Sequence, residues 1–98
     1  MTVEQVILGI DPGLANTGWG IVRQSGSRLA CEAYGCISTP ASWPLVHRLG
    51  KIHEQMSAVI DRFNPQCCGI ETVWFGQNIT AAFATGQARG AALVACSQ

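Results

Sequence analysis

The sequence predicts an α/β fold, a mixed sheet that opens with antiparallel strands and is completed by a parallel strand arriving through a crossover helix. Three observations predict it. Two short apolar runs, Val6 to Asp11 and Gln66 to Glu71, each end at a lone carboxylate, and between them a stretch with helical periodicity runs from about Pro44 to Phe63. A strand, a helix and a strand in that order make a right-handed crossover, which sets the last strand parallel to an earlier one and brings its C-terminal end to the same edge of the sheet. The 98 residues make at most one domain, spanning residues 1–98.

The run Val6-Ile7-Leu8-Gly9-Ile10 reads as a strand buried on both faces and ended by Pro12-Gly13. Proline disfavours helical backbone at the residue before it, so Asp11 stays extended with its carboxylate at the rim of the sheet. A second strand begins at Thr17 and Gly18 and runs to Gln24, and the glycine-rich turn before it leaves space beside Asp11 for a bulky anion such as a phosphate. Leu29 to Ile37 follows across Ser25-Gly26-Ser27-Arg28 as a hairpin partner, and its partial alternation marks an edge strand with one wetter face.

Ser38 to Ser42 reads as a loop, and Pro44 suits the first position of a helix. Leu45, Leu49, Ile52, Met56, Val59, Ile60 and Phe63 then recur at helical spacing, a stripe that covers one face of the sheet, until Asn64-Pro65 stops it. Asn78 to about Ala95 forms a second helix, with Asn78 or Thr80 as its cap. Ala82, Gly86 and Gly90 share one of its faces. Each glycine costs about 1 kcal/mol of helix propensity, so a close neighbour must offset it, either the helix's own sheet or a second helix.

About half the residues are apolar and few are charged, which excludes a disordered chain. The apolar runs are too short to span a membrane and Met1 to Gln5 carries no basic leader, so a soluble cytoplasmic protein is expected. The five cysteines, Cys31, Cys36, Cys67, Cys68 and Cys96, form no C-x-x-C pair and leave an odd one, which favours reduced thiols in a cytosolic core over disulfides or zinc. His47 and His53 are six apart, the wrong spacing to share a metal. Six cations balance six anions, weak support for a nucleic-acid binder, and from Asn64 to Gln98 the only charges are Glu71 and Arg89.

If the two strands are neighbours, Asp11 and Glu71 converge on one crevice, where their mutual repulsion calls for a hard cation. Mg2+ suits two carboxylates, completing its octahedron with water and phosphate oxygens, and a metal pair can hold both the attacking and the leaving oxygen of phosphodiester hydrolysis. The bland alternative is an Asx-type turn from Asp11 to Gly13, with Glu71 paired to a distant arginine.

The segments Ile7-Leu8-Gly9-Ile10-Asp11-Pro12-Gly13 with Thr17, Gly18 and Gly20, then Gly69-Ile70-Glu71 with Val73-Trp74, then Gly86-Gln87-Ala88-Arg89-Gly90 resemble the RuvC family of Holliday-junction resolvases. The resemblance implies an RNase H-like mixed sheet and a structure-specific endonuclease that makes symmetric nicks in four-way DNA junctions during recombination and repair. It implies Asp11 and Glu71 as catalytic and metal-binding residues for Mg2+, with Mn2+ as a substitute. It implies DNA contacts at Trp74, Gln77, Asn78 and Arg89, with Trp74 stacking on unpaired bases where the bland reading has Trp74 and Phe75 covering the sheet edge. Ala82, Gly86 and Gly90 become a homodimer interface, and the RuvA-RuvB branch-migration complex becomes a partner. No Asp or Glu follows Glu71, so the chain reads as the N-terminal part of such a domain, truncated after the second helix and expected to be inactive alone. Two alternatives stand beside it, a junction-binding or dimerisation module that does not cut, and a phosphotransferase fragment of the actin and sugar-kinase superfamily that uses Asp11-Pro12-Gly13 as a phosphate loop.

Overall fold

A computed structural model describes residues 4–71 and 79–98 of the chain. Its elements run β1 (Glu4–Asp11), β2 (Asn16–Ser25), β3 (Arg28–Ser38), α1 (Leu45–Phe63), β4 (Cys67–Ile70) and α2 (Ile79–Ser97). The sheet order is β3-β2-β1-β4, with β1 antiparallel to β2, β2 antiparallel to β3, and β4 parallel to β1. This is the mixed sheet expected from the sequence. Trp74, Phe75, Gln77 and Asn78 lie outside the described residues.

β1 differs from the expectation in one respect that matters for the site. Val6, Leu8 and Ile10 are buried, whereas Ile7 is half-buried and Gly9 and Asp11 are exposed, so only one face of the strand is covered. The reason lies in the alternation of side chains: the covered face carries branched residues that pack under the helices, while the other carries glycine beside the carboxylate. Leu8, Ile21 and Ile37 from three strands meet Ile52 and Met56 of α1 and Ala88, Ala92 and Ala95 of α2 in a single core.

Pro44 sits just outside α1 rather than in its first turn, with extended backbone (φ −55°, ψ 145°). Its carbonyl accepts from the amides of His47 and Arg48 at 3.0 and 3.1 Å, so it closes the first turn from the cap position. At the other end Asn64 adopts the left-handed conformation (φ 47°) and its amide donates to Ile60. Asparagine tolerates that region, and Pro65 prevents any continuation. Within the apolar stripe Leu45 remains exposed; the core contacts begin further along, with Ile52 and Met56 fully buried and Val59, Ile60 and Phe63 packed beside them.

Trp19 explains one of the glycines. Its indole lies across β3 and tilts against Phe63 with ring centres 6.0 Å apart. A Cβ on Gly35, directly opposite in the register, would come within 2.7 Å of that ring. Only glycine leaves room there. On β3 the expected alternation breaks at a bulge between Ile21 and Val22, and Glu32, left without a ladder partner, is taken by the Arg23 guanidinium at 2.9 Å.

The cysteines do not sit in the core as expected. Cys31, Cys36, Cys67 and Cys68 are exposed and Cys96 is partly buried, because β3 and β4 are the two outer strands; Cys68, in register with Leu8, is on the helix side beside Cys96. The Cys96 thiol is pushed up to about 11, first by burial and then by a hydrogen bond with Cys68.

α2 is apolar on more than one side. Ala88, Ala92 and Ala95 are the side that packs into the core. Gly86 and Gly90 lie on the opposite side by helical periodicity, where an added Cβ would meet nothing within 4 Å. Close packing of these glycines on their own sheet is therefore not what they do. Leu93 and Val94 on that outer side are 40% and 51% exposed. No helix among the described residues is long and apolar enough to cross a membrane.

Candidate active site

The ladder between β1 and β4 runs from Ile7 opposite Cys67 to Ile10 opposite Ile70. Asp11 and Glu71 are the next positions on each strand, and the Glu71 amide continues the ladder by donating to the Ile10 carbonyl at 3.2 Å. Parallel strands carry their side chains in step, so the two carboxylates emerge side by side at one edge, on the face the helices leave open. Sharing a proton with Asp11, and then the repulsion between the two charges, holds the Glu71 carboxyl above its ordinary 4.5.

Both bland alternatives fail on specific bonds. The Gly13 amide donates to the Thr17 hydroxyl at 3.3 Å, not to Asp11. Arg23 with Glu4 and Glu32 supplies the ion pairs among the described residues, and Arg89 donates from Nε to the backbone carbonyl of Glu71 at 3.0 Å rather than to its carboxylate.

Much of what surrounds the pair is glycine. In the register Asp11 faces Gly18, and two residues back Gly20, Gly9 and Gly69 lie in a row across β2, β1 and β4. A depression of about 400 Å3 opens here, lined by Gly9, Gly18, Gly20 and Gly35, by Asp11 and Glu71, and by Ile10 and Trp19. The space beside the carboxylate thus comes from these strand glycines and not from the turn, as the sequence suggested. Gly13 serves compactness instead, since a Cβ there would collide with the Asn16 carbonyl.

The turn after Asp11 is fastened from behind. Thr17, fully buried, donates to the Gly13 carbonyl at 2.7 Å, and buried Thr39 donates from its hydroxyl to Leu14 at 2.6 Å and from its amide to Ala15 at 2.9 Å. Arg48 of α1 braces Thr39 through Nε at 2.8 Å. Sequence reasoning missed Thr17, Thr39 and Arg48 as a unit. The signal available was weak, three polar residues far apart in the chain. A stronger signal, a glycine two residues before each acid, was present in Gly9 and Gly69.

Asp11 and Glu71 suit a hard divalent cation by donor chemistry: two ionisable oxygen ligands, side by side in the register, on an open face with room for water. Among the described residues no group of three or more potential ligands gathers. The cations are largely committed elsewhere. Arg23 binds Glu4 and Glu32, Arg48 binds Thr39, Lys51 binds the Ser38 carbonyl, Arg62 lies over the Phe63 ring and Arg89 holds Glu71; among the described residues Arg28 alone has no such contact.

Comparison with known proteins gives the family. The family model of the crossover junction endodeoxyribonuclease RuvC matches residues 7–98. Relatives named for that activity include those of Rubrobacter xylanophilus, 46% identical over 94% of this chain and 51% of the relative, and Treponema pallidum, 42% identical over 95% of this chain and 47% of the relative. Thermus thermophilus RuvC in complex with Holliday junction substrate superposes with a TM-score of 0.89 at 32% identity, covering 95% of this chain and 57% of that one. An Aquifex aeolicus PPX-GPPA enzyme, 14% identical with a TM-score of 0.56, shares the fold alone. Sheet order and the superposition on RuvC together define an RNase H-like fold. The chain belongs to the RuvC family of crossover junction endodeoxyribonucleases. It spans about half the length of the curated relatives it matches.

Proposed function

We propose that this chain forms the part of a Holliday-junction resolvase that carries the first two metal-binding acids, acting on four-way DNA junctions in recombination and repair in the cytoplasm. The observation that carries the reading is the placement of Asp11 and Glu71 in step at the ends of two paired parallel strands, beside a glycine-lined depression open to a phosphodiester backbone. Both residues would hold Mg2+, or Mn2+ in its place. A bound ion supplies Lewis-acid polarisation of the phosphate and a more acidic water. The chain's own contribution is to present two carboxylates in fixed register, to admit the strand over Gly9, Gly18, Gly20 and Gly69, and to hold the turn beyond Asp11 through Thr17 and Thr39. Trp74, Gln77 and Asn78 follow Glu71 in the chain and are proposed to contact the junction, with Trp74 stacking on an unpaired base.

Fluorescence anisotropy at low salt tests this. The chain is expected to prefer a labelled four-way junction to a linear duplex of the same sequence, and Trp74→Ala to weaken junction binding by about 1 to 3 kcal/mol, the worth of one stacked base. Equal affinity for both DNAs would contradict the reading. Because only two acids meet among the described residues, binding without cutting is the second reading for the chain by itself.

A homodimer through Ala82, Gly86 and Gly90 belongs to the same proposal, as does docking with a RuvA-RuvB branch-migration complex. Ala82 is buried, while the open glycines and exposed Leu93 and Val94 leave an apolar outer side on α2 that water disfavours. Gly86→Ala and Gly90→Ala are each expected to stabilise the protomer by about 1 kcal/mol in urea denaturation. Gly90→Glu is expected to lower association in sedimentation. A wild-type chain that stays monomeric at high micromolar concentration would remove the dimer.

A further inference from the structure

The family resemblance gives Arg89 a place on the DNA; the structure gives it another. We infer that Arg89 is a positioning residue, setting Glu71 beside Asp11 by holding the Glu71 backbone carbonyl. The inference rests on the metal-site reading above and deepens it.

Glu71 lies one residue past the end of β4. The ladder therefore fixes only its amide, which donates to Ile10. Its carbonyl, beyond the reach of β1, accepts from Arg89 Nε at 3.0 Å, across 18 residues of chain. With both backbone polar groups engaged, the torsions at Glu71 are set, and with them the direction of its Cα–Cβ bond. Two carboxylates that repel would otherwise separate wherever the backbone allowed it. The brace has a firm base: Ala88 precedes Arg89 and Ala92 follows three residues later, both fully buried in the core, so α2 cannot turn without exposing them. Arg89 is itself partly buried. Its guanidinium makes no ion pair with the Glu71 carboxylate, so it acts on the backbone of that residue and leaves the carboxylate oxygens free for a cation.

Side-chain chemistry separates this task from a phosphate contact. Glutamine places its amide nitrogen the same number of bonds from Cα as Arg Nε, so Arg89→Gln keeps the donor and discards the charge. Arg89→Met keeps the length and discards both. The 98-residue chain and these variants are compared by Mn2+ affinity from electron paramagnetic resonance, by hydrogen exchange at the Glu71 amide, and by junction binding at low salt. Arg89→Met is expected to lower both Mn2+ affinity and Glu71 amide protection by about tenfold, the scale of one charge-assisted hydrogen bond, while Arg89→Gln retains most of each. A residue that merely touches phosphate would instead lose junction binding equally in both variants, with Mn2+ affinity and amide protection unchanged, and that result overturns the inference. So does an equal loss of Mn2+ affinity in Gln and Met, or a loss of protection without any loss of affinity. Should the wild type bind Mn2+ no better than Asp11→Asn, the metal-site reading fails by itself; the Glu71 amide then decides, with protection kept in Gln and lost in Met supporting the brace and equal protection ending it.

Discussion

Incubated with a labelled four-way junction in Mg2+ or Mn2+, the 98-residue chain is expected to leave it uncut. Two carboxylates can hold a divalent ion, but they provide few fixed ligands for a second ion and an oriented water, and in-line displacement is fastest when both the attacking and the leaving oxygens are stabilised. The charge distribution weakens binding as well. Net charge is zero, and among the described residues every Lys and Arg but Arg28 is engaged within the chain. Few counterions are released on contact with DNA, so junction affinity should be low and should fall steeply with salt. Symmetric nicks produced by the wild type and absent from an Asp11→Asn control would contradict this, and would show that two acids suffice.

A reversal of sign is expected at Glu71. Its carboxyl is held above its ordinary 4.5 by the hydrogen bond to Asp11 and then by their repulsion. A carboxyl raised in the folded state contributes stability that is complete below the unfolded value and is lost as pH climbs through the folded one. In a chelator the wild type should therefore lose stability relative to Glu71→Gln as pH rises from mild acid to neutrality, leaving the variant the more stable of the two. Excess Mn2+ at neutral pH should reverse the order, because only the wild type gains from ion binding by mass action. Thermal melts of both proteins in chelator and in Mn2+ check it. A variant no more stable than wild type in chelator at neutral pH would show that the pair carries no stored repulsion.

Much of this fold was legible because its strands and helices advertise themselves locally. Pro12-Gly13 and Asn64-Pro65 punctuate the chain, the stripe from Ile52 to Phe63 has helical period, and the two runs ending in Asp11 and Glu71 repeat one pattern. The pairing of the acids followed from topology alone. What stayed hidden depended on which face of a strand is covered, and period alone cannot say so. β1 was read as buried on both faces because Gly9 interrupts an apolar run without looking polar; in the sheet it aligns with Gly20 and Gly69 as bare floor. The thiols were misplaced for a related reason, since cysteine is commonly a core residue and only the strand order puts β3 and β4 outermost. Arg89 entered through the family resemblance, and its bond through Nε to the Glu71 carbonyl is one that no sequence pattern marks. Thr17 and Thr39 were similarly silent.

The central claim, that Asp11 and Glu71 share one divalent cation on the open face of the sheet, is tested most directly by paramagnetic broadening of backbone amide signals in the 98-residue chain. Substoichiometric Mn2+ is expected to erase the amides of Asp11, Gly18 and Glu71 first and to spare those of Arg28 and Ser97, and either Asp11→Asn or Glu71→Gln should abolish the selective loss. Broadening that is uniform over the chain, or that persists unchanged in both variants, would contradict it.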